Sequence, residues 1–91
     1  KLDSVGRLGG EEFAILLPQT TLNDARMLGE RLRLLTASLD IPSASGPFRV
    51  TVSIGISVAN TYDSEFSQIL QRADMALYRA KQLGRDQVQN D

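Results

Sequence analysis

An α+β fold, with two helices laid against a mostly antiparallel sheet, is predicted by three features of the sequence. The pair Gly9-Gly10 separates two strand-like segments, residues 49–59 alternate strictly between large and small side chains, and segments 22–39 and 66–83 repeat apolar residues every three or four positions. The element order that follows is β-hairpin, helix, strand, helix and a short final strand. At 91 residues and 42% hydrophobic content there is room for one small core.

The hairpin is predicted over residues 4–8 and 11–17, because a tight turn needs positive φ and glycine takes it without steric cost. In the second arm Phe13, Ile15 and Leu17 share one face and Ala14 and Leu16 the other, so both faces are expected to be buried. With Gly9 and Gly10 as the loop, Leu8 stands opposite Glu11 and Arg7 opposite Glu12, which offers a cross-strand ion pair. Pro18 ends this arm. Thr21, with Asp24 three residues on, then caps a helix whose stripe Ala25, Leu28, Leu32, Leu35 and Leu39 faces the sheet, leaving Arg26, Glu30 and Arg33 on the other side. Residues 40–47 carry two prolines and read as a connector.

In the alternating segment Val50, Val52, Ile54, Ile56 and Val58 form the large face, and Thr51, Ser53, Gly55, Ser57 and Ala59 the small one. The large face is expected to fill the core. The small face, centred on Gly55, admits another backbone or a ligand at close range, tight packing being the ordinary outcome. Asp63 or Ser64 can cap the second helix, whose apolar face is Phe66, Ile69, Leu70, Ala73, Ala76, Leu77, Ala80 and Leu83, with Arg72 and Arg79 read as solvated. Gly84 stops that helix, and Arg85, Asp86 and Val88 lead into the last strand.

Ten basic residues against eleven acidic ones give a formal net charge of -1, which provides no bulk field for nucleic acid or an anionic membrane. The absence of cysteine and histidine excludes disulfides, thiolate metal sites and an imidazole base. Any chemistry must rest on carboxylates, lysine, hydroxyls or a hard metal ion. Neither a run of 18 apolar residues nor a signal-peptide core is present, so a cytoplasmic location is expected. The sequence opens without methionine, directly before a strand pattern, and is read as a piece of a longer protein.

Two groupings can carry chemistry. Glu11 and Glu12 offer oxygen ligands to a cation such as Mg²⁺, although adjacent strand residues face opposite ways and a solvated pair of charges remains the alternative. Lys81 and Arg85, in the last helical turn and just past its stop, can converge on a phosphate; the helix macrodipole also favours cations there without any ligand.

The stretch Arg7-Leu8-Gly9-Gly10-Glu11-Glu12-Phe13 resembles the signature of the GGDEF domain of bacterial diguanylate cyclases, in its GGEEF form. Thr51-Val52-Ser53-Ile54-Gly55-Ile56 resembles the central strand of that family, and residues 72–85 its last long helix with a terminal glycine-arginine. The resemblance implies a palm-like, ferredoxin-like α+β domain related to adenylyl cyclases. It implies an enzyme that joins two GTP into cyclic di-GMP with release of pyrophosphate, using Mg²⁺ or Mn²⁺, when two such domains meet face to face as a homodimer. By the same resemblance Glu11 is a metal ligand, Glu12 lies beside the metal and the attacking 3′-hydroxyl, Gly9 and Gly10 let the nucleotide approach, and Lys81 and Arg85 hold the triphosphate. A product-inhibition site is implied at Asp3, whose partner arginine would precede Lys1, with Arg31 on the first helix. Asp86 departs from the asparagine common after the glycine-arginine, with little consequence expected.

The resemblance also implies what is not in the sequence: an initial strand with an Asp-x-Asp-like metal motif, and two helices with an Asn/Asp segment that reads guanine. Residues 1–91 are therefore read as a single partial GGDEF domain, inactive alone, whose uncovered edges invite another copy or an unseen segment. The parent is expected to carry an upstream sensory or regulatory domain, through which it could be membrane-anchored. The competing reading is a non-catalytic GGDEF module that binds GTP or cyclic di-GMP as a regulatory domain. A blander one is a structural dimerisation piece.

Overall fold

The structure, a computed structural model, describes residues 4–9 and 12–91, with the backbone alone for 4–9 and 12. Its elements in order are β1 (Ser4–Gly9), β2 (Glu12–Leu16), α1 (Leu22–Ser38), β3 (Ile54–Ile56), α2 (Phe66–Gln82) and β4 (Val88–Asn90). The α+β class and the element order are those expected. The sheet is not single, however: β1 and β2 form an antiparallel hairpin, and β3 pairs with β4 in parallel, with α2 as the crossover between them.

Hairpin register departs from the expected one. Val5 pairs with Ile15, Gly6 with Ala14 and Arg7 with Phe13, after which an irregularity in β1 brings Gly9 opposite Glu12. The first arm holds one extra residue there, as in a β-bulge, and because Glu12 pairs with Gly9 the predicted pairing of Arg7 with Glu12 is not formed. The second arm is not buried on both faces either, since Phe13 is 63% exposed and Ile15 and Leu16 are exposed as well. Among the described residues the hairpin packs against neither helix nor the parallel pair.

The tightest packing lies between α2 and β3, where Ala76 and Ala80 are fully buried; Val88 of β4 is nearly so. Gly55 makes this possible: a Cβ on it would stand 2.2 Å from the Ala73 carbonyl oxygen and 2.3 Å from the Leu77 nitrogen. The small face of the alternating segment thus receives the backbone of α2, as tight packing requires. Ser57 adds a bond across the same contact by donating its hydroxyl to the Ile69 carbonyl. Only Ile54–Ile56 of residues 49–59 is paired as strand among the described residues, and Val50 and Val58 at its ends are exposed.

The opposite face of the parallel pair receives α1. Thr21 caps this helix, accepting from the Asp24 amide at 3.1 Å, as expected. The helix nevertheless turns a different side inward. Gly29 is its buried residue, within van der Waals reach of Val88 and Ile56, whereas Leu35 and Leu39 are exposed. Two three-residue strands present a strip too narrow to cover the whole predicted stripe. The strip falls on Gly29 and its flanking arginines: Arg26 donates to Asn90 Oδ1 at 2.6 Å, and Arg33 reaches the turn beyond α2. The connector contains one antiparallel bridge, Ile41 with Phe48.

The cap of α2 is Glu65 rather than Asp63 or Ser64. Gln68 Oε1 accepts from the amide of the cap residue Glu65, one of the donors a helix start leaves open, and from that of Ser64 before it. Asp63 is taken up elsewhere. Arg72, expected in solvent, grips both oxygens of Asp63 at 2.6 and 2.8 Å, donates to the Val58 carbonyl at 2.9 Å, and reaches Asp91 at 3.0 Å. The Asn60 amide also donates to Asp63. Held first by the Arg72 hydrogen bonds and then by that amide, the Asp63 carboxyl titrates well below its usual range, at about 2. Arg79, also expected in solvent, donates to the Asn90 carbonyl. Both arginines therefore tie α2 to the last strand.

No helix of the described residues is long and apolar enough to cross a membrane.

Candidate functional site

The acidic side of the candidate site belongs to the hairpin. Gly9 ends β1 and pairs with Glu12, the first residue of β2. Gly10, Glu11 and Asp3 lie outside the described residues. No group of three or more acids that could hold a metal ion occurs among the described residues.

The basic side is built where α2 ends. Its last turn contains Arg79 and the half-buried Lys81. The Leu83 amide donates to the Arg79 carbonyl at 2.9 Å and the Arg85 amide to the Ala80 carbonyl at 2.9 Å, the longer bond being that of a Schellman closure. Such a closure needs a left-handed residue, and Gly84 supplies it with φ of 120°. The chain does not return to ordinary backbone at once: Arg85 follows at φ 64° and Asp86 at φ 48°. Arg85 is thereby lifted out of the predicted strand approach and stands exposed, its guanidinium without a hydrogen bond or ion pair among the described residues.

Because a helix C-terminus carries negative dipole charge, an anion here would have to be held by the Lys81 and Arg85 side chains against the local backbone field. Paired cations are suited to that task, since a phosphate accepts charge-assisted bonds from both. Arg31, the other predicted anion contact, is exposed on α1, on the helix face that also carries Met27 and Leu34. Nothing among the described residues bonds to its guanidinium.

Sequence reasoning missed the support beneath Arg85. The Asp86 amide donates to Ser53 Oγ at 3.1 Å, and Arg33 of α1 donates to Asp86 Oδ1 at 3.0 Å while its Nε bonds Glu30 Oε1 at 2.6 Å. Hydrogen bonds to Glu30 first and Asp86 second raise the Arg33 pKa above its ordinary value. Asp86, expected to matter little, is thus one end of an ion pair between α1 and the turn that follows α2. The Gly-Arg-Asp triplet was the one available signal, because aspartate tolerates the left-handed region that most residues avoid.

Comparison with known proteins bears on these positions. A model of the family described as "Diguanylate cyclase, GGDEF domain" matches residues 1–87. The diguanylate cyclase DgcP of Pseudomonas aeruginosa is 41% identical over 87 residues, which is 96% of this chain but 13% of DgcP. The GGDEF domain of DgcB from Caulobacter crescentus, solved in complex with c-di-GMP, superposes with a TM-score of 0.88 at 29% identity, covering 94% of this chain and 52% of that one. The active GGEEF domain of a diguanylate cyclase from Vibrio cholerae gives 0.85 at 33% identity, with 94% and 54% covered. The chain thus spans a small part of the curated relative and about half of each solved domain. From Asp3 to Arg85, the matched residues include every candidate position, and the chain belongs to the diguanylate cyclase GGDEF domain family.

Proposed function

We propose that this chain is the C-terminal part of a GGDEF domain whose intact form condenses two GTP into cyclic di-GMP. The observation that carries the reading is Arg85, exposed on the left-handed turn that follows α2 and without a guanidinium partner among the described residues, in a chain whose sequence also holds the Gly-Gly-Glu-Glu signature. In the reaction, the 3′-hydroxyl oxygen of one GTP attacks the α-phosphorus of the other and pyrophosphate leaves. A second such step closes the ring. Phosphoryl transfer of this kind depends on positioning and charge neutralisation, which suits a site without histidine or cysteine.

In this reading Lys81 and Arg85 hold the triphosphate, Gly9 and Gly10 allow the nucleotide to approach the hairpin, and Glu12 lies beside the attacking hydroxyl, whose proton a carboxylate can accept. Glu11 and Glu12 offer carboxylate oxygens, the donors that Mg²⁺ or Mn²⁺ prefers. Two acids do not fill such a shell, so substrate phosphates and an acid from outside these residues would complete it. The bound ion would supply charge neutralisation at the phosphates. Asp3 and Arg31 belong to a separate product-binding site. Two domains must meet, each presenting one GTP, and an upstream regulatory domain in the cytoplasmic parent would control that encounter.

Incubating the full-length protein with GTP and Mg²⁺ tests the reading. Cyclic di-GMP should form, at a rate that rises with dimer concentration. Absence of product at every protein concentration overturns it, and tight nucleotide binding without turnover would instead establish a regulatory binding module. The 91-residue chain alone should show no turnover.

A further inference from the structure

Three consecutive residues with positive φ, Gly84, Arg85 and Asp86, leave α2, and the middle one is an arginine that gains nothing locally from this conformation. Such backbone persists where its surroundings over-determine it. Here they do: the Arg85 amide is bonded to Ala80 O, the Asp86 amide to Ser53 Oγ, and the Asp86 carboxylate to Arg33. The carboxylate raises a difficulty for any anion held by Arg85. It is the next residue, it is 42% exposed, and its negative charge repels what Arg85 attracts. Arg33 resolves this, being 21% exposed and sandwiched between Glu30 and Asp86 from a helix otherwise remote from the turn.

We propose that Arg33 acts through Asp86 on Arg85: it neutralises the Asp86 carboxylate, so that Arg85 meets an anionic nucleotide without a competing negative charge. Arg33 is a positioning residue that touches no substrate. The proposal rests on the reading of Arg85 as a triphosphate contact and adds to it a dependence of nucleotide affinity on α1. Its distinguishing feature is sign. Deleting the cation exposes the carboxylate and weakens binding, whereas deleting the carboxylate leaves binding intact, because Asn tolerates the same left-handed backbone and keeps the amide bond to Ser53.

The test measures KM for GTP and kcat in the full-length protein. Arg33→Gln should raise KM about three- to fivefold, the range of a partly exposed charge pair, with kcat within about twofold. Asp86→Asn should leave KM unchanged or lower it, and the double variant should recover most of the loss. A merely structural pair would give the same defect in both single variants, and that outcome overturns the proposal, as does an unchanged KM in Arg33→Gln. If Arg33→Gln does not fold, a rise in KM above about threefold in Asp86→Asn alone is sufficient to overturn it. Arg85→Ala separates the two levels. No effect of Arg85→Ala on KM refutes Arg85 as a nucleotide contact, whereas a raised KM there beside a normal one in Arg33→Gln refutes only the role of Arg33.

Discussion

Replacing Gly55 by alanine adds one methyl group at the tightest contact in the fold. That methyl would lie 2.2 Å from the Ala73 oxygen, 2.3 Å from the Leu77 nitrogen and 2.8 Å from the Leu77 Cα. Carbon makes comfortable non-bonded contacts at about 3.5 Å, so α2 and β3 must separate by roughly 1 Å. Both obstacles are backbone and cannot rotate aside, as a side chain could. Overpacking typically costs about 1–3 kcal/mol, and this site belongs at the upper end, near 3 kcal/mol. In an intact domain of 150–250 residues that corresponds to a fall in Tm of roughly 6–12 °C, measurable by circular dichroism at 222 nm. There is also a functional component, because α2 carries Lys81 and leads into Arg85. A displacement of about 1 Å in positioning groups can cost on the order of 10²-fold in rate, so cyclic di-GMP formation should fall by that order even at temperatures where the variant is folded. A Gly55→Ala protein within about 0.5 kcal/mol of the wild type in urea unfolding, with normal turnover, would refute the close-approach argument.

The same substitution at Gly29 should have the opposite sign: its Cβ would meet Val88 and Ile56 at 3.4–3.5 Å, ordinary contact distances, so Gly29→Ala should stabilise α1 by about 0.5–1 kcal/mol in denaturant unfolding. For Asp63, a folded pKa lowered from 3.8 to about 2 means that its contribution is complete above the unfolded value and disappears as pH falls through that interval. Asp63→Asn should accordingly lower Tm at neutral pH and flatten the Tm–pH profile between about 4 and 2; parallel profiles for the two proteins would contradict the Arg72 clamp. At the signature, Glu11→Gln should depress kcat on the order of 10²-fold in the full-length protein, and chelation of divalent ions should abolish product, whereas activity persisting in excess chelator would exclude a metal role for this residue.

Local patterns predicted those parts of the fold whose environment they determine. Strict alternation around Gly55 identified both β3 and the face against which a backbone could press, and the three-four period with Gly84 delimited α2 to within a residue or two. The inward side of α1 was not legible in that way. Its leucines form a respectable stripe, but what covers a helix is decided by the width of its partner, and a partner only three residues long selects Gly29 with Arg26 and Arg33 instead. The hairpin register failed for a different reason: Gly9, expected in the loop, pairs with Glu12, and the irregularity between Arg7 and Gly9 recovers only part of that shift, neither being marked by the hydrophobic pattern. Of the candidate site, the residue types and their order were readable. The Arg33–Asp86 pair was not, because 53 positions separate residues that only the packing of α1 on the parallel strands brings together.

The hairpin and the β3–α2–β4 unit also differ in how each is sustained. The latter closes on its own alanine core and is riveted at its far end by Arg72. The former is a two-stranded ribbon with Phe13, Ile15 and Leu16 open to water, a form that is marginal by itself. In amide exchange the ribbon should therefore surrender its protons long before α2 does. Glu12 on the ribbon and the candidate cations Lys81 and Arg85 at the end of α2 consequently stand on ground of unequal firmness, and whatever comes to lie over the ribbon also governs how long that strand keeps its shape.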